Sequence, residues 1–163
     1  MGSPKYSDAK LRKILSRTKS IAAVGVSTNR VRPSYIVTRY LDSRGFRIVP
    51  VNPVYEGAAL FGTPIYPSLA AIPGDQDPIH MVEIFRRSEE AGAVVDQAIE
   101  ALGDRGLKTI WMQIGVIDKK AAKRARKAGL TVIMDRCPKI EYQRLWGELG
   151  WGGFNTGIIS SKL

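Results

Sequence analysis

The sequence predicts an α/β fold, a doubly wound five-stranded parallel sheet in a single domain spanning residues 1–163. Three observations point to it. Five short apolar runs, Ile21–Val26, Arg47–Val51, Ile79–Phe85, Thr109–Ile114 and Thr131–Met134, begin 22 to 32 residues apart. Each is rich in Ile, Val or Met and nearly continuous rather than alternating, as strands covered on both faces read. Segments of helical periodicity fill most of the gaps, so strand and helix alternate along the chain.

The elements follow in order. Ser7 to Arg17 predicts a leading helix with Leu11, Ile14 and Leu15 inward. After the first run, Ser34 to Arg44 places Ile36, Val37, Tyr40 and Leu41 on one stripe and stops at Gly45. The Gly- and Pro-dense stretch between Pro53 and Pro73 predicts loop with at most one short helix. Ser88 is the expected cap of a helix carrying Val94, Val95, Ala98, Ile99 and Leu102 that stops at Gly103. Asp118 is the expected cap of a basic helix that stops at Gly129. Asp135-Arg136-Cys137-Pro138-Lys139 ends the sheet. The expected core runs from about residue 11 to 145, and residues 146–163 form a Gly-rich C-terminal tail. The order is Rossmann-like: helix first, then strand and helix in alternation.

Composition narrows the function. A chain that is 44% hydrophobic and 25% charged is globular in composition and buries roughly two thirds of its unfolded surface. One cysteine, Cys137, excludes an internal disulfide and a Cys-based zinc cage. One histidine, His80, excludes a His-rich metal site, so no metal-ligating residues are assigned. His80 lies within the third run and reads as a packed core histidine. The uncharged stretch Gly57–Gly74 is broken by Pro64, Pro67 and Pro73 and is no membrane span. With no signal-peptide pattern, the expected location is cytoplasmic. The terminal Ser161-Lys162-Leu163 would be a peroxisomal address in a eukaryote.

Twenty-five Lys and Arg against 15 Asp and Glu give a formal net charge of +10, which favours anionic partners. Lys119, Lys120, Lys123, Arg124, Arg126 and Lys127 crowd nine residues, with Ala121, Ala122, Ala125 and Ala128 interleaved at helical spacing. That pattern reads as a solvated basic face opposite a small-residue packing face. A basic nucleic-acid-binding protein is the alternative, disfavoured because no aromatic stacking platform or helix-turn-helix accompanies the charge.

Ligands of such sheets sit beyond the carboxyl ends of the strands. The first end reads Gly25-Val26-Ser27-Thr28-Asn29-Arg30-Val31-Arg32-Pro33-Ser34. Of a G-x-G-x-x-G fingerprint only Gly25 is present, and the second run ends Val51-Asn52-Pro53 rather than in an acidic residue. A dinucleotide-dependent oxidoreductase is therefore disfavoured, and with no Gly-Lys pair a Walker A loop is absent. The loop still suits phosphate: Ser27, Thr28, Asn29 and Ser34 supply hydroxyl and amide groups, Arg30 and Arg32 charge, and the next helix its N-terminus. A polar loop with an N-cap serine is the plain alternative. Phe85, Arg86, Arg87, Gln113 and Gly115 lie at other strand ends on the same edge.

Five segments together resemble one family. They are Ile21-Ala-Ala-Val-Gly-Val-Ser27 with Arg32-Pro-Ser34, Val49-Pro-Val-Asn-Pro53, Val82-Glu-Ile-Phe-Arg-Arg87, Trp111-Met-Gln113 and Met134-Asp-Arg-Cys-Pro-Lys-Ile-Glu141. The chain from about Leu11 to Leu145 resembles the small stand-alone CoA-binding proteins, which are similar to the N-terminal CoA-binding domain of the succinyl-CoA synthetase α subunit. The resemblance implies coenzyme A or an acyl-CoA as a small-molecule ligand. It implies phosphate contacts from Ser27, Thr28, Asn29 and Arg30, with Ser34 opening the helix. It implies a nucleotide-lining turn at Val51, Asn52, Pro53 and Tyr55, where the synthetases carry a lysine in place of Tyr55, and a pocket completed by Phe85, Arg86, Arg87 and Gln113. The synthetases also need a phosphorylatable histidine from a second domain, so this chain is expected to bind without catalysing, and no catalytic residues are assigned. Cys137 reads either as buried packing or, flanked by Arg136 and Lys139, as a thiolate able to form a mixed disulfide with CoA.

Overall fold

Each of the five apolar runs forms a parallel strand in the computed structural model, which describes residues 3–147. The strands are β1 (Ser20–Val24), β2 (Arg47–Val51), β5 (Met81–Ile84), β6 (Thr109–Met112) and β7 (Thr131–Ile133), with a separate hairpin of β3 (Ala59–Leu60) and β4 (Thr63–Pro64). The sheet order is β2-β1-β5-β6-β7. From β1 the chain turns outward to β2 and then crosses to β5 on the other side, so the order reverses between β1 and β5. That is where an open α/β sheet leaves a crevice at its carboxyl edge.

Helices α1 (Asp8–Arg17), α2 (Pro33–Ser43) and α5 (Pro138–Leu145) cover one face. Helices α3 (Ser88–Leu102) and α4 (Lys119–Lys127) cover the other. Alternate side chains divide between the faces: Ile21, Ala23, Met81, Trp111 and Ile133 on the first, Ala22, Val82, Ile84, Ile110 and Met112 on the second. All ten are fully buried. Continuous apolar runs are what this two-sided burial demands.

Several local expectations change. The segment after Pro53 holds the β3–β4 hairpin and single 3-10 turns at Pro53–Tyr55 and Leu69–Ala71, more structure than its Gly and Pro content suggested. Helix α5 forms where the sequence suggested only an end to the sheet, with Pro138 in its first turn. On α2 the buried stripe is Ser34, Val37, Thr38 and Leu41, while Ile36 is 43% exposed. Ser34 and Thr38 read as polar but have local partners: Thr38 donates to Ser34 O at 2.7 Å and Ser34 Oγ accepts from Ser27 N at 3.0 Å. Ala121, Ala122 and Ala125 of α4 pack inward as expected, whereas Ala128 is exposed. Asp118 caps α4, accepting from Ala121 N at 2.9 Å. Most of the Gly-rich tail, from residue 148 onward and including Ser161-Lys162-Leu163, lies outside the described residues. No helix among the described residues is long and apolar enough to cross a membrane.

Candidate functional site

The carboxyl ends of β1, β5 and β6 open into a cleft of about 530 Å³. Gly25 ends β1 with φ +89°, a left-handed conformation that glycine adopts without strain. A Cβ there would lie 2.6 Å from Phe85 O and 2.7 Å from Arg86 Cδ, so the ends of β1 and β5 pass closer than a side chain permits. The loop that follows folds on itself. Ser27 Oγ accepts from Asn29 N at 2.9 Å and lies 3.3 Å from the Tyr55 hydroxyl, and Asn29 Oδ1 accepts from Val31 N at 3.1 Å. Buried Asn52 ties this loop to the end of β2, donating to Val26 O at 3.0 Å and accepting from Val54 N at 3.0 Å.

The cleft is electropositive. Arg32, Arg86 and Arg87 line it, and among the described residues no Asp or Glu does. Two helices begin at its edge, α2 after Arg32 and α3 after Arg87, and neither N-terminus has a side-chain cap. By contrast α1 and α4 are capped by Ser7 and Asp118. Uncapped first turns leave backbone N–H groups and the positive end of the helix dipole to an external acceptor. Ser88, expected as the α3 cap, instead accepts from Ile117 N at 3.0 Å and so ties α3 to the segment after β6. Glu90 stands just behind the arginines, 3.3 Å from Arg86 and 3.2 Å from Arg87. The Arg87 hydrogen bond and the Arg86 charge hold its carboxyl below the usual range.

The family described as "CoA binding domain" matches residues 19–143, which hold all five strands of the main sheet, helices α2 to α4 and most of α5. This chain belongs to the CoA-binding domain family. It is 35% identical to the uncharacterized protein YneT of Bacillus subtilis over 136 residues, 83% of this chain and 94% of that protein. A hypothetical protein of Pyrococcus horikoshii, known from its solved structure, is 36% identical with a TM-score of 0.78. That match covers 90% of this chain and 100% of the other. A dinucleotide-forming acetyl-coenzyme A synthetase of Ca. Korarchaeum cryptofilum aligns at 23% identity and a TM-score of 0.57, over 74% of this chain and 27% of its own, a likeness of fold.

Within this CoA-binding domain, eleven of the residues singled out from sequence meet at the cleft: Gly25, Ser27, Arg32, Ser34, Asn52, Tyr55, Phe85, Arg86, Arg87, Gln113 and Gly115. Val51 and Pro53 line an adjoining cleft of about 490 Å³ that shares Gly25 and Arg86 with the first. Thr28, Asn29 and Arg30 belong to neither wall; they occupy the outer part of the loop, with Asn29 and Arg30 exposed. Ser34 is not an N-cap: Pro33 precedes it inside the helix, and its hydroxyl fixes the loop backbone at Ser27.

Sequence reasoning missed Pro33, Val54, Ile114 and Val116, which complete the wall. The signal for Ile114 was at hand. It closes an apolar run, yet β6 stops at Met112 and leaves Ile114 55% exposed at the cleft. His80 corrects another expectation. It precedes β5 rather than lying inside it, at the amino edge opposite the cleft, half-buried, with Nδ1 accepting from Lys19 N at 3.0 Å. Burial, then the charges of Lys108, Arg47, Lys19 and Arg17, lower its pKa. Cys137 is 4% exposed, and burial pushes its thiol up despite neighbouring Arg136 and Lys139. That is the opposite of a reactive thiolate.

Proposed function

We propose that this domain binds coenzyme A or an acyl-CoA as a stand-alone module, in the cytoplasm, without catalysing a reaction on it. The single observation that carries the reading is three arginines and two uncapped helix N-termini around one cleft with no acid among the described residues of its wall. CoA brings about four negative charges on its pyrophosphate and 3′-phosphate, the chemistry such a site recognises. Membership of the family supports the choice of CoA among phosphorylated ligands. The uncharged wall of Val54, Phe85, Ile114 and Val116 suits the pantetheine arm. Two residue types that catalyse acyl or phosphoryl transfer are badly placed here: His80 is at the far edge of the sheet and Cys137 is buried.

Mass spectrometry of ligand released from purified protein, with titration calorimetry against CoA, tests the reading. Replacing Arg86 and Arg87 together by Ala is expected to weaken CoA binding, and to weaken it more at low salt than at high salt. Unchanged affinity in the double variant would remove these arginines from the site. Absence of any CoA binding by the parent would remove the function.

A further inference from the structure

We infer that Glu83 is a positioning residue for the cleft, fixing the orientation of the Gln113 carboxamide on the cleft wall. The consequence for binding rests on the CoA reading; the positioning itself does not. Glu83 lies in β5, in the middle of the sheet, paired in register with Ala23 of β1 and Trp111 of β6. It is 0% exposed, and both carboxyl oxygens lack a hydrogen-bond partner. An unpaired carboxylate at such a place would be among the costliest groups a fold can hold.

Gln113 follows Trp111 by two residues and so projects on the same face, one step nearer the carboxyl edge. Gln113 N donates to Ile84 O at 3.3 Å, which places Gln113 beside β5 one step beyond Glu83 on the same face. Gln113 lines the cleft, yet its Oε1 is buried without a donor, while its side chain hydrogen-bonds the Cys137 thiol. Glu83 in turn lies within electrostatic reach of Cys137. The cluster therefore contains three buried acceptor oxygens that receive no hydrogen bond, and Gln113 Oε1 still needs a donor.

A proton on Glu83 is that donor. Burial disfavours the charged form and holds its carboxyl well above the usual range, which favours the carboxylic acid with one O–H to give. Donation to Gln113 Oε1 directs the amide N–H groups toward Cys137 and the cleft. Arg17 of α1 is a cation on this face; its guanidinium donates to Thr109 Oγ1 and Thr131 Oγ1 at 3.1 Å each, toward the amino edge, and its Nε is buried without a partner. Ala23 and Trp111 flank it, Cys137 is held neutral, and the helices on this face present Leu11, Ile14, Leu15, Val37, Leu41 and Leu145. The buried carboxyl of α5, Glu141, is engaged by Arg144 at 2.7 Å.

The test compares Glu83→Gln with Glu83→Leu, both checked for folding. Gln keeps a donor at the position and Leu removes it. In the unliganded proteins, the side-chain amide resonances of Gln113 are expected to stay in place in Glu83→Gln and to move in Glu83→Leu. The infrared band of a protonated carboxyl is expected at neutral pH in the parent and absent from Glu83→Gln. CoA affinity is expected within twofold of the parent for Gln and about fivefold weaker for Leu, the worth of one lost hydrogen bond. The parent's affinity should fall relative to that of Glu83→Gln as pH rises and Glu83 ionises. A folded Leu variant with unmoved Gln113 resonances, or an ionised Glu83 at neutral pH, would overturn the inference. If the parent shows no CoA binding at all, the CoA reading falls, while the resonances and the infrared band still decide the role of Glu83.

Discussion

Gly25→Ala is expected to destabilise the domain by about 2–5 kcal/mol and to abolish ligand binding at the cleft. The magnitude has two parts. The first is conformational: Gly25 has φ +89°, and an L side chain in the left-handed region costs about 1–2 kcal/mol. The second is the contact. The new Cβ meets Phe85 O at 2.6 Å and Arg86 Cδ at 2.7 Å. The arginine can swing aside, but the carbonyl is backbone. Phe85 N donates to Val24 O at 2.8 Å and Gly25 N to Val51 O at 2.9 Å, so the strand ends are pinned on both sides of the clash. Forcing an extra methyl into such packing costs about 1–3 kcal/mol. The sum lowers the melting temperature of a domain this size by about 4–20 °C. Gly45→Ala is the control: φ is +94° there, but nothing lies within 4 Å of the added Cβ, so only the conformational part applies. Urea unfolding of both variants separates the two parts, and calorimetry with CoA reads the cleft. Equal losses of stability in the two variants would refute the close approach as the reason for glycine at position 25.

Other predictions address the charges and the thiol. Glu83 has a raised folded-state pKa, so its contribution to stability is complete below the unfolded value near 4.5 and is lost as pH rises through the folded value. Between the two values the parent loses about 1.4 kcal/mol per pH unit from this group, and urea unfolding of Glu83→Gln should lack that slope. Intact-mass measurement after incubation with oxidised CoA should show no reducible adduct at Cys137 at neutral pH, because its thiol is buried and raised in pKa; an adduct would restore the reactive reading. Neutralising Lys120, Lys123 and Lys127 on α4 should leave CoA affinity within about twofold, since exposed charges away from the ligand are screened at physiological salt; calorimetry of the triple variant checks this.

The strands were legible in the sequence because burial on both faces of a parallel sheet demands continuous apolar runs, and Ile21, Val82 and Ile110 carry that demand in their own side chains. The stop at Gly129 and the Asp118 cap of α4 were legible because both are local backbone chemistry. Gly25, Arg86 and Gln113 could be placed on one edge from strand polarity alone. Which strands are neighbours could not be read, since the apolar runs are chemically interchangeable. The β2-β1-β5-β6-β7 order emerges only from packing all of them at once. The same non-locality explains the other departures. Ser34 looks like a cap until the fold places Ser27 N against its hydroxyl, and Cys137 looks activated by Arg136 and Lys139 until burial outweighs them. Glu83 looks like any strand residue in the chain. The tertiary structure encloses it with no donor to its carboxyl oxygens, because desolvation depends on everything packed around a group and not on its neighbours in sequence.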